Sequence, residues 1–266
     1  MPNSILEVTH LTKRFGNFTA VDDVTFSVPH GQIFAFLGPN GAGKSTTIKM
    51  LTTLLSPTSG EIKLNGFDVL KDKDDVRKSF GIVFQDQSLD DELTAYENME
   101  FHAVLYSIAS QDRQKRIQEL LEFADLWDRR DSLVKTFSGG MKRRLEIARG
   151  LMHRPKIFFL DEPTTGLDPQ TRNHMWQYIK NLSEKEGITI FFSTHYLEEA
   201  QEYAQRIAIM DHGKIITEGS LEDLLKETGK KTLEDAFLKL TGSNIREESA
   251  SGADQLRLHA GRWRGR

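Results

Sequence analysis

An α/β fold is predicted, with a mostly parallel central sheet, a smaller antiparallel β subdomain and an inserted helical lobe. Three observations predict it. Residues 33–37 and 157–160 are short, continuously apolar runs, and 188–192 is one interrupted only by Thr189, the composition of strands buried on both faces. Long helix-like stretches separate them, and strands alternating with helices pair in parallel through crossovers. Residues 93–153 hold helical patterns and no strand run.

The elements follow in chain order. Residues 5–8 and 21–28 read as strands. In the second, Val24, Phe26 and Val28 alternate with Thr25 and Ser27, as in a half-buried antiparallel strand. The run 33–37 stops at Gly38, and Ile48, Leu51, Leu54 and Leu55 then place a helix. Across 111–126, Ile117, Leu120, Leu121 and Ala124 recur at helical spacing. Another helix carries Leu145, Ala148, Leu151 and Met152 on one face, and the helical lobe is expected over about 87–155. Residues 206–218 read as a hairpin around Asp211-His212-Gly213, followed by short helices at 221–228 and 232–240. Residues 1–241 are expected to form the folded unit. Residues 242–266, rich in Ser, Gly, Ala and Glu and then Arg, are expected to be a disordered tail.

Composition narrows the function. The 266 residues carry 35 basic and 39 acidic side chains, a net charge of −4, a poor balance for sequence-independent DNA binding, so no nucleic-acid partner is expected. The absence of cysteine excludes disulfides, zinc–thiolate sites and a cysteine nucleophile. No apolar run reaches the ~18 residues of a membrane span, and the start of the chain lacks signal-peptide character. A cytoplasmic chain is expected, with any membrane role exercised through a partner.

Residues 38–46 read Gly38-Pro39-Asn40-Gly41-Ala42-Gly43-Lys44-Ser45-Thr46, the G-x-x-x-x-G-K-[ST] pattern of a phosphate-binding loop. Glycine lets successive backbone N–H groups turn inward toward phosphate oxygens. Lys44 adds a charge for the β- and γ-phosphates, Ser45 offers a hydroxyl to Mg²⁺, and the following helix directs its positive end at the anion. The flanking strand and helix patterns match. Asp161 and Glu162 directly follow the apolar run 157–160. Neighbouring side chains at a strand end point to different sides, so Asp161 can face a metal ion while Glu162 positions an attacking water. On these residues alone, a helix-capping carboxylate ahead of Pro163 is an equal reading.

Phe137-Ser-Gly-Gly-Met141 opens the helix bearing Leu145. Together with the phosphate loop and the paired carboxylates, it makes the chain, from residue 5 to about 240, resemble the nucleotide-binding subunit of an ATP-binding cassette (ABC) transporter. The resemblance implies an ABC ATPase fold, ATP and Mg²⁺ as cofactors, and roles by position. Phe15 would stack on adenine and Gln85 would reach Mg²⁺ and sense the membrane partner. Ser138, Gly139 and Gly140 would contact the ATP of an opposite, second nucleotide-binding subunit, and Asp168, in Gly166-Leu167-Asp168, would cross that interface. His195 would touch the γ-phosphate. Phe137 and Met141 depart from the usual leucine and glutamine. The other seven histidines are expected to be solvated or capping.

Thr232-Leu-Glu-Asp-Ala-Phe-Leu-Lys-Leu-Thr-Gly242, with Ser-Gly-Gly-Met and Lys-Arg-Arg-Leu-Glu-Ile-Ala-Arg, is similar to the daunorubicin-resistance type of drug and polymer exporters. That implies a homodimer at the inner face of the cell membrane, held there by an integral membrane permease, exporting a drug, lipid or polymer-like substrate. Three alternatives stay in view: an importer subunit, a soluble ABC-type ATPase acting on DNA or ribosomes, and a regulatory module that holds ATP without hydrolysing it. Little chain follows the hairpin for an importer's regulatory domain. Only 94 positions separate Lys44 from Ser138, with no sustained heptads for a repair-type coiled coil. Glu162 and His195 argue against an inert module.

Overall fold

The structure, a computed structural model, describes residues 4–242; of the tail expected over 242–266, all but Gly242 lies outside the described residues. Two long strands come first, β1 (Ser4–Phe15) and β2 (Phe18–Pro29), then β3 (Ile33–Leu37) and α1 (Lys44–Leu51). Next are β4 (Ser59–Leu64), β5 (Phe67–Asp68), α2 (Lys73–Ser79) and β6 (Phe80–Val83). Helices α3 (Ala95–Leu105), α4 (Ser110–Phe123) and α5 (Gly139–Gly150) pack on one another as a lobe before β7 (Ile157–Asp161). The chain continues through α6 (Pro169–Glu186), β8 (Thr189–Thr194), α7 (Leu197–Tyr203), β9 (Arg206–Asp211), β10 (Lys214–Gly219), α8 (Leu221–Thr228) and α9 (Leu233–Thr241).

The main sheet has six strands in the order β10-β9-β3-β8-β7-β6, parallel except for β10 against β9. A second, antiparallel sheet runs β2-β1-β4-β5. The apolar runs owe their composition to these two layers. On β3, Ile33, Ala35 and Leu37 face the core beneath the helical lobe, whereas Phe34 and Phe36 face the antiparallel sheet. Phe34 stacks on Phe191 of β8 at 5.4 Å and on Phe26 of β2 at 5.8 Å. A strand serving two cores has no polar side to spare.

Several expectations need correction. Helix α1 ends at Leu51, so Leu54 is exposed rather than part of its buried face. Thr53, at φ 62°, has already left helical conformation. The first two strands are longer than their alternating patterns. Bulges at His10 (φ 50°) and Asp23 (φ 54°) break the period-2 signal, and His10 Nδ1 meets Asp23 Oδ1 at 2.7 Å across them. His102 and His153 are neither solvated nor capping. The His153 ring stacks on Tyr106 at 3.9 Å with its Nε2 2.8 Å from the Phe80 carbonyl, and His102 packs on Tyr106 at 4.9 Å. Among the described residues no helix is long and apolar enough to cross a membrane.

Candidate active site

The carboxyl ends of β3, β7 and β8 bring three loops together, the edge at which open α/β sheets bind ligands. After β3, the Gly38 N–H donates to the Thr194 carbonyl at 3.3 Å, fixing the loop beside β8. Gly43 adopts φ 109°, and a Cβ there would sit 2.6 Å from the Ala20 carbonyl. Gly41 is also left-handed, at φ 77°, with open space around it. Asn40 is exposed at the loop tip, and Pro39 offers its carbonyl to Ala42 N–H at 3.2 Å. Helix α1 starts at Lys44 with no side-chain cap, leaving its first N–H groups directed at the loop. The glycine cradle and helix end thus fit a polyphosphate.

Lys44, 4 % exposed, donates Nζ to the Gly38 carbonyl at 2.7 Å and to Pro39 at 3.2 Å, and lies 3.5 Å from Glu162 Oε1. Asp161 closes β7 and accepts from Ser45 Oγ at 3.1 Å and Ser193 Oγ at 2.5 Å. A hydroxyl and a carboxylate side by side are the hard oxygen donors a Mg²⁺ ion takes. Glu162 sits in left-handed conformation, φ 49°, its N–H held by Ser193 Oγ at 3.1 Å. The two carboxylates meet different side chains, Asp161 those of Ser45 and Ser193, Glu162 those of Lys44, Thr165 and His195. Oε2 accepts from Thr165 Oγ1 at 3.2 Å and lies 3.3 Å from His195 Nδ1, at an angle that is not that of a hydrogen bond.

Charge follows depth. Burial lowers the pKa of the Lys44 ammonium against the opposing pull of Glu162 and Asp161. Burial alone would raise that of Glu162, but the His195 ring and the Lys44 charge hold its carboxyl below the usual range. Both values fall for different reasons: desolvation prevails at the deeper lysine, and the neighbouring groups prevail at Glu162. Glu162 is therefore a carboxylate at neutral pH, aimed at the space between Lys44 and His195.

The remaining candidates lie elsewhere. Ser138 caps α5, its Oγ accepting from Met141 N–H at 3.3 Å. Gly139 is exposed, and Gly140 packs where a Cβ would strike the Thr171 methyl. Ser138 and Gly140 line a groove of about 210 Å³ with Met141, Arg144, Thr171 and His174. Asp168 caps α6, accepting from Thr171 N–H at 3.0 Å and Oγ1 at 2.6 Å. Among the described residues none of these touches Lys44, Ser45 or Glu162. Phe15 is exposed at the end of β1, with Lys13 Nζ 5.1 Å from its ring centre. Gln85 is exposed two residues beyond β6. Thr46 is half-buried in the first turn of α1.

Sequence reasoning missed the groups that hold the loops. Buried Glu199, on α7, accepts from Thr194 Oγ1 at 2.8 Å and from the Thr164 hydroxyl, joining the segment before His195 to the one after Glu162. Arg143 of α5 donates to the Pro163 carbonyl at 2.8 Å. No periodicity marks either residue.

Known proteins carry the same organisation. Residues 21–165 match the ABC transporter family profile. The chain is 41 % identical to the daunorubicin/doxorubicin resistance ATP-binding protein DrrA of Streptomyces peucetius, over 93 % of this chain and 74 % of that protein. The chain belongs to the ABC transporter family. Like this ABC subunit, the Nod factor export ATP-binding protein I of Ralstonia nicotianae shares much of its length: 40 % identity over 83 % of this chain and 68 % of that one. A dimeric, post-hydrolysis ATP-binding cassette bound to ADP and Pi superposes with a TM-score of 0.73 at 30 % identity, covering 81 % and 98 % of the two chains. The protein is an ATP-binding, ATP-hydrolysing ABC subunit.

Proposed function

We propose that this subunit powers export of a drug, lipid or polymer-like substrate through a separate membrane permease, working as a homodimer on the inner face of the cell membrane. The observation that carries the catalytic part is Glu162 set between Lys44 and His195 beside the Ser45–Asp161 pair. Drug resistance and Nod factor export in the names of two relatives support the direction of transport, and the dimeric cassette supports the pairing.

Gly38, Pro39, Asn40, Gly41, Ala42, Gly43 and Thr46 cradle the phosphates, and Lys44 compensates charge on the β- and γ-phosphates. Ser45 and Asp161, with Gln85, would hold Mg²⁺, which when bound neutralises charge on the phosphate oxygens. Glu162 orients the attacking water and takes its proton, while His195 faces the γ-phosphate. Phosphoryl transfer rests mainly on such positioning. Phe15 stacks on adenine. Ser138, Gly139, Gly140 and Asp168, remote from Lys44 in one copy, close on the ATP of the second copy, for which Ser138, Gly139 and Asp168 are exposed.

The permease would seat on α3. Phe101, Val104 and Leu105 are exposed there at 64 %, 48 % and 64 %, beside a groove of about 240 Å³ lined by Ser88, His102 and Arg149. An apolar stripe of this kind marks an interaction surface. Purifying the chain from detergent-solubilised membranes and identifying the attached protein by mass tests the reading. Recovery of a multi-span protein with the parent but not with Phe101→Asp/Leu105→Asp supports it. A parent that hydrolyses ATP but recovers no membrane protein favours the soluble ATPase.

A further inference from the structure

Arg143 is charged, buried and fully used. Its five N–H groups meet five acceptors. Nε donates to the Pro163 carbonyl at 2.8 Å. Nη1 donates to the Phe84 carbonyl at 2.5 Å and to Glu146 Oε2 at 3.1 Å. Nη2 donates to the carbonyls of Asp161 and Glu162, both at 3.3 Å. Three of these acceptors are successive carbonyls of the turn that carries the catalytic carboxylate. The fourth adjoins Gln85.

The turn needs such a holder. A glutamate at φ 49° is strained, and a left-handed non-glycine residue persists only where its surroundings over-determine it. The turn also gathers carbonyls 161–163 in the buried interior, where each must find a donor. Glu146 neutralises the guanidinium and anchors it in turn. Its Oε1 accepts from the Ser88 N–H at 2.7 Å and Oγ at 3.2 Å, while Arg149 donates to the Ser88 carbonyl at 2.8 Å. Arg143 thus stands on the helix capped by Ser138, braced against the loop that follows Gln85.

We propose that Arg143, braced by Glu146, is a positioning residue for ATP hydrolysis: it holds the left-handed turn so that Glu162 faces Lys44 and His195, and it ties that turn to the Ser138 helix and the Gln85 strand end. This rests on Glu162 being the catalytic carboxylate. Lysine cannot replace the fork, since its three donors radiate from one atom and cannot reach five spread acceptors. Misplacing a reacting group by about 1 Å costs up to about 100-fold in rate.

The test uses the full chain with Arg143→Lys, Arg143→Gln, Glu146→Gln and a Glu162→Gln control. Steady-state kcat and KM for Mg-ATP, affinity for a fluorescent ADP, and amide hydrogen exchange are measured. For Arg143→Lys, kcat should fall about 10–100-fold while KM and ADP affinity stay within about threefold of the parent. Exchange should rise at Thr165, whose N–H donates to the Glu162 carbonyl at 3.3 Å, and stay unchanged across α1. Arg143→Gln should lose more and Glu146→Gln less. Parental kcat in a folded Arg143→Lys overturns the proposal. So does a loss shared equally by kcat and ADP affinity with exchange rising throughout α1, since that is general destabilisation. Where neither Arg143 variant folds, Glu146→Gln decides, and parental kcat there overturns the brace. Parental turnover by Glu162→Gln would sink the catalytic assignment itself, whatever Arg143 does.

Discussion

Replacing Glu162 by glutamine keeps its shape and removes its charge. Two consequences separate. Chemistry loses the group that orients water and accepts its proton, worth about 10²–10⁴ in rate for a positioned base. The ligand-free protein loses the carboxylate 3.5 Å from Lys44 and 3.3 Å from His195. Unit charges at the Lys44 separation attract by a gross ~5 kcal/mol at an effective dielectric of 20, and the variant regains only the cost of burying Glu162, because Lys44 stays buried without its partner. A net loss of about 3 kcal/mol is expected, seen as about 6–12 °C in melting temperature for a domain of this size. Mg-ATP should reverse the sign, because phosphate replaces the missing partner of Lys44 and hydrolysis no longer removes it. The variant should therefore melt below the parent alone and above it with Mg-ATP. On gel filtration with Mg-ATP it should run as a dimer where the parent is mostly monomeric, and adding Ser138→Arg should abolish that dimer. Hydrolysis at the parental rate would refute the role of Glu162. An inactive variant that binds ATP yet stays monomeric would refute the homodimer and favour an unlike partner.

Other perturbations test separate parts. Lys44→Ala removes the buried ammonium held by Gly38 and Pro39; ATP binding and turnover should collapse with circular dichroism unchanged, and undiminished turnover would remove the phosphate-loop assignment. Gly81→Ala places a methyl against the Phe158 ring and the Gly150 carbonyl, so β6 should shift and chemical denaturation should show a loss of about 1–3 kcal/mol. Burial, then the charges of Arg149 and His153, push the His102 pKa from 6.5 down to about 4. Folding then disfavours protonation, so stability is complete above pH 6.5, falls as pH drops toward 4 and levels below it, with a ceiling of about 3 kcal/mol. Melting temperature should already decline between pH 6.5 and 5, and His102→Leu should flatten part of that slope.

Most of the candidate site was legible because its residues sit where local patterns change. The phosphate loop and the carboxylates each begin where a fully buried strand ends, and burial on both faces writes an unmistakable apolar run. Strand β6 escaped notice since four residues with a glycine among them, Phe80-Gly81-Ile82-Val83, carry too little pattern to stand out. Helix α1 was read too long because Leu54 and Leu55 continue its spacing, while the turn at Thr53 leaves no apolar mark. Arg143 and Glu146 look like surface charges on an amphipathic helix. Their partners are backbone carbonyls and a serine many residues away, and a carbonyl has no signature in sequence. The half-buried histidine stack was hidden likewise, since what covers His153, in the turn after α5, is Tyr106 at the end of α3.

The strand order also bears on how the protein is made. Strand β8 lies between β3 and β7, so the phosphate loop and the carboxylates, though synthesised earlier, reach their spacing only when the chain has grown to Thr194. At about 5–20 residues per second, the ribosome leaves the edge of β3 without that neighbour for roughly 8–30 s and the edge of β7 for roughly 2–7 s. During that interval an apolar, unpaired slot is open to any passing strand, and a chain cut short before His195 would present it permanently. Such fragments should be retained by chaperones or aggregate, and none should bind nucleotide. Assembly of the ATP site thus doubles as a check that the polypeptide has been translated almost to its hairpin.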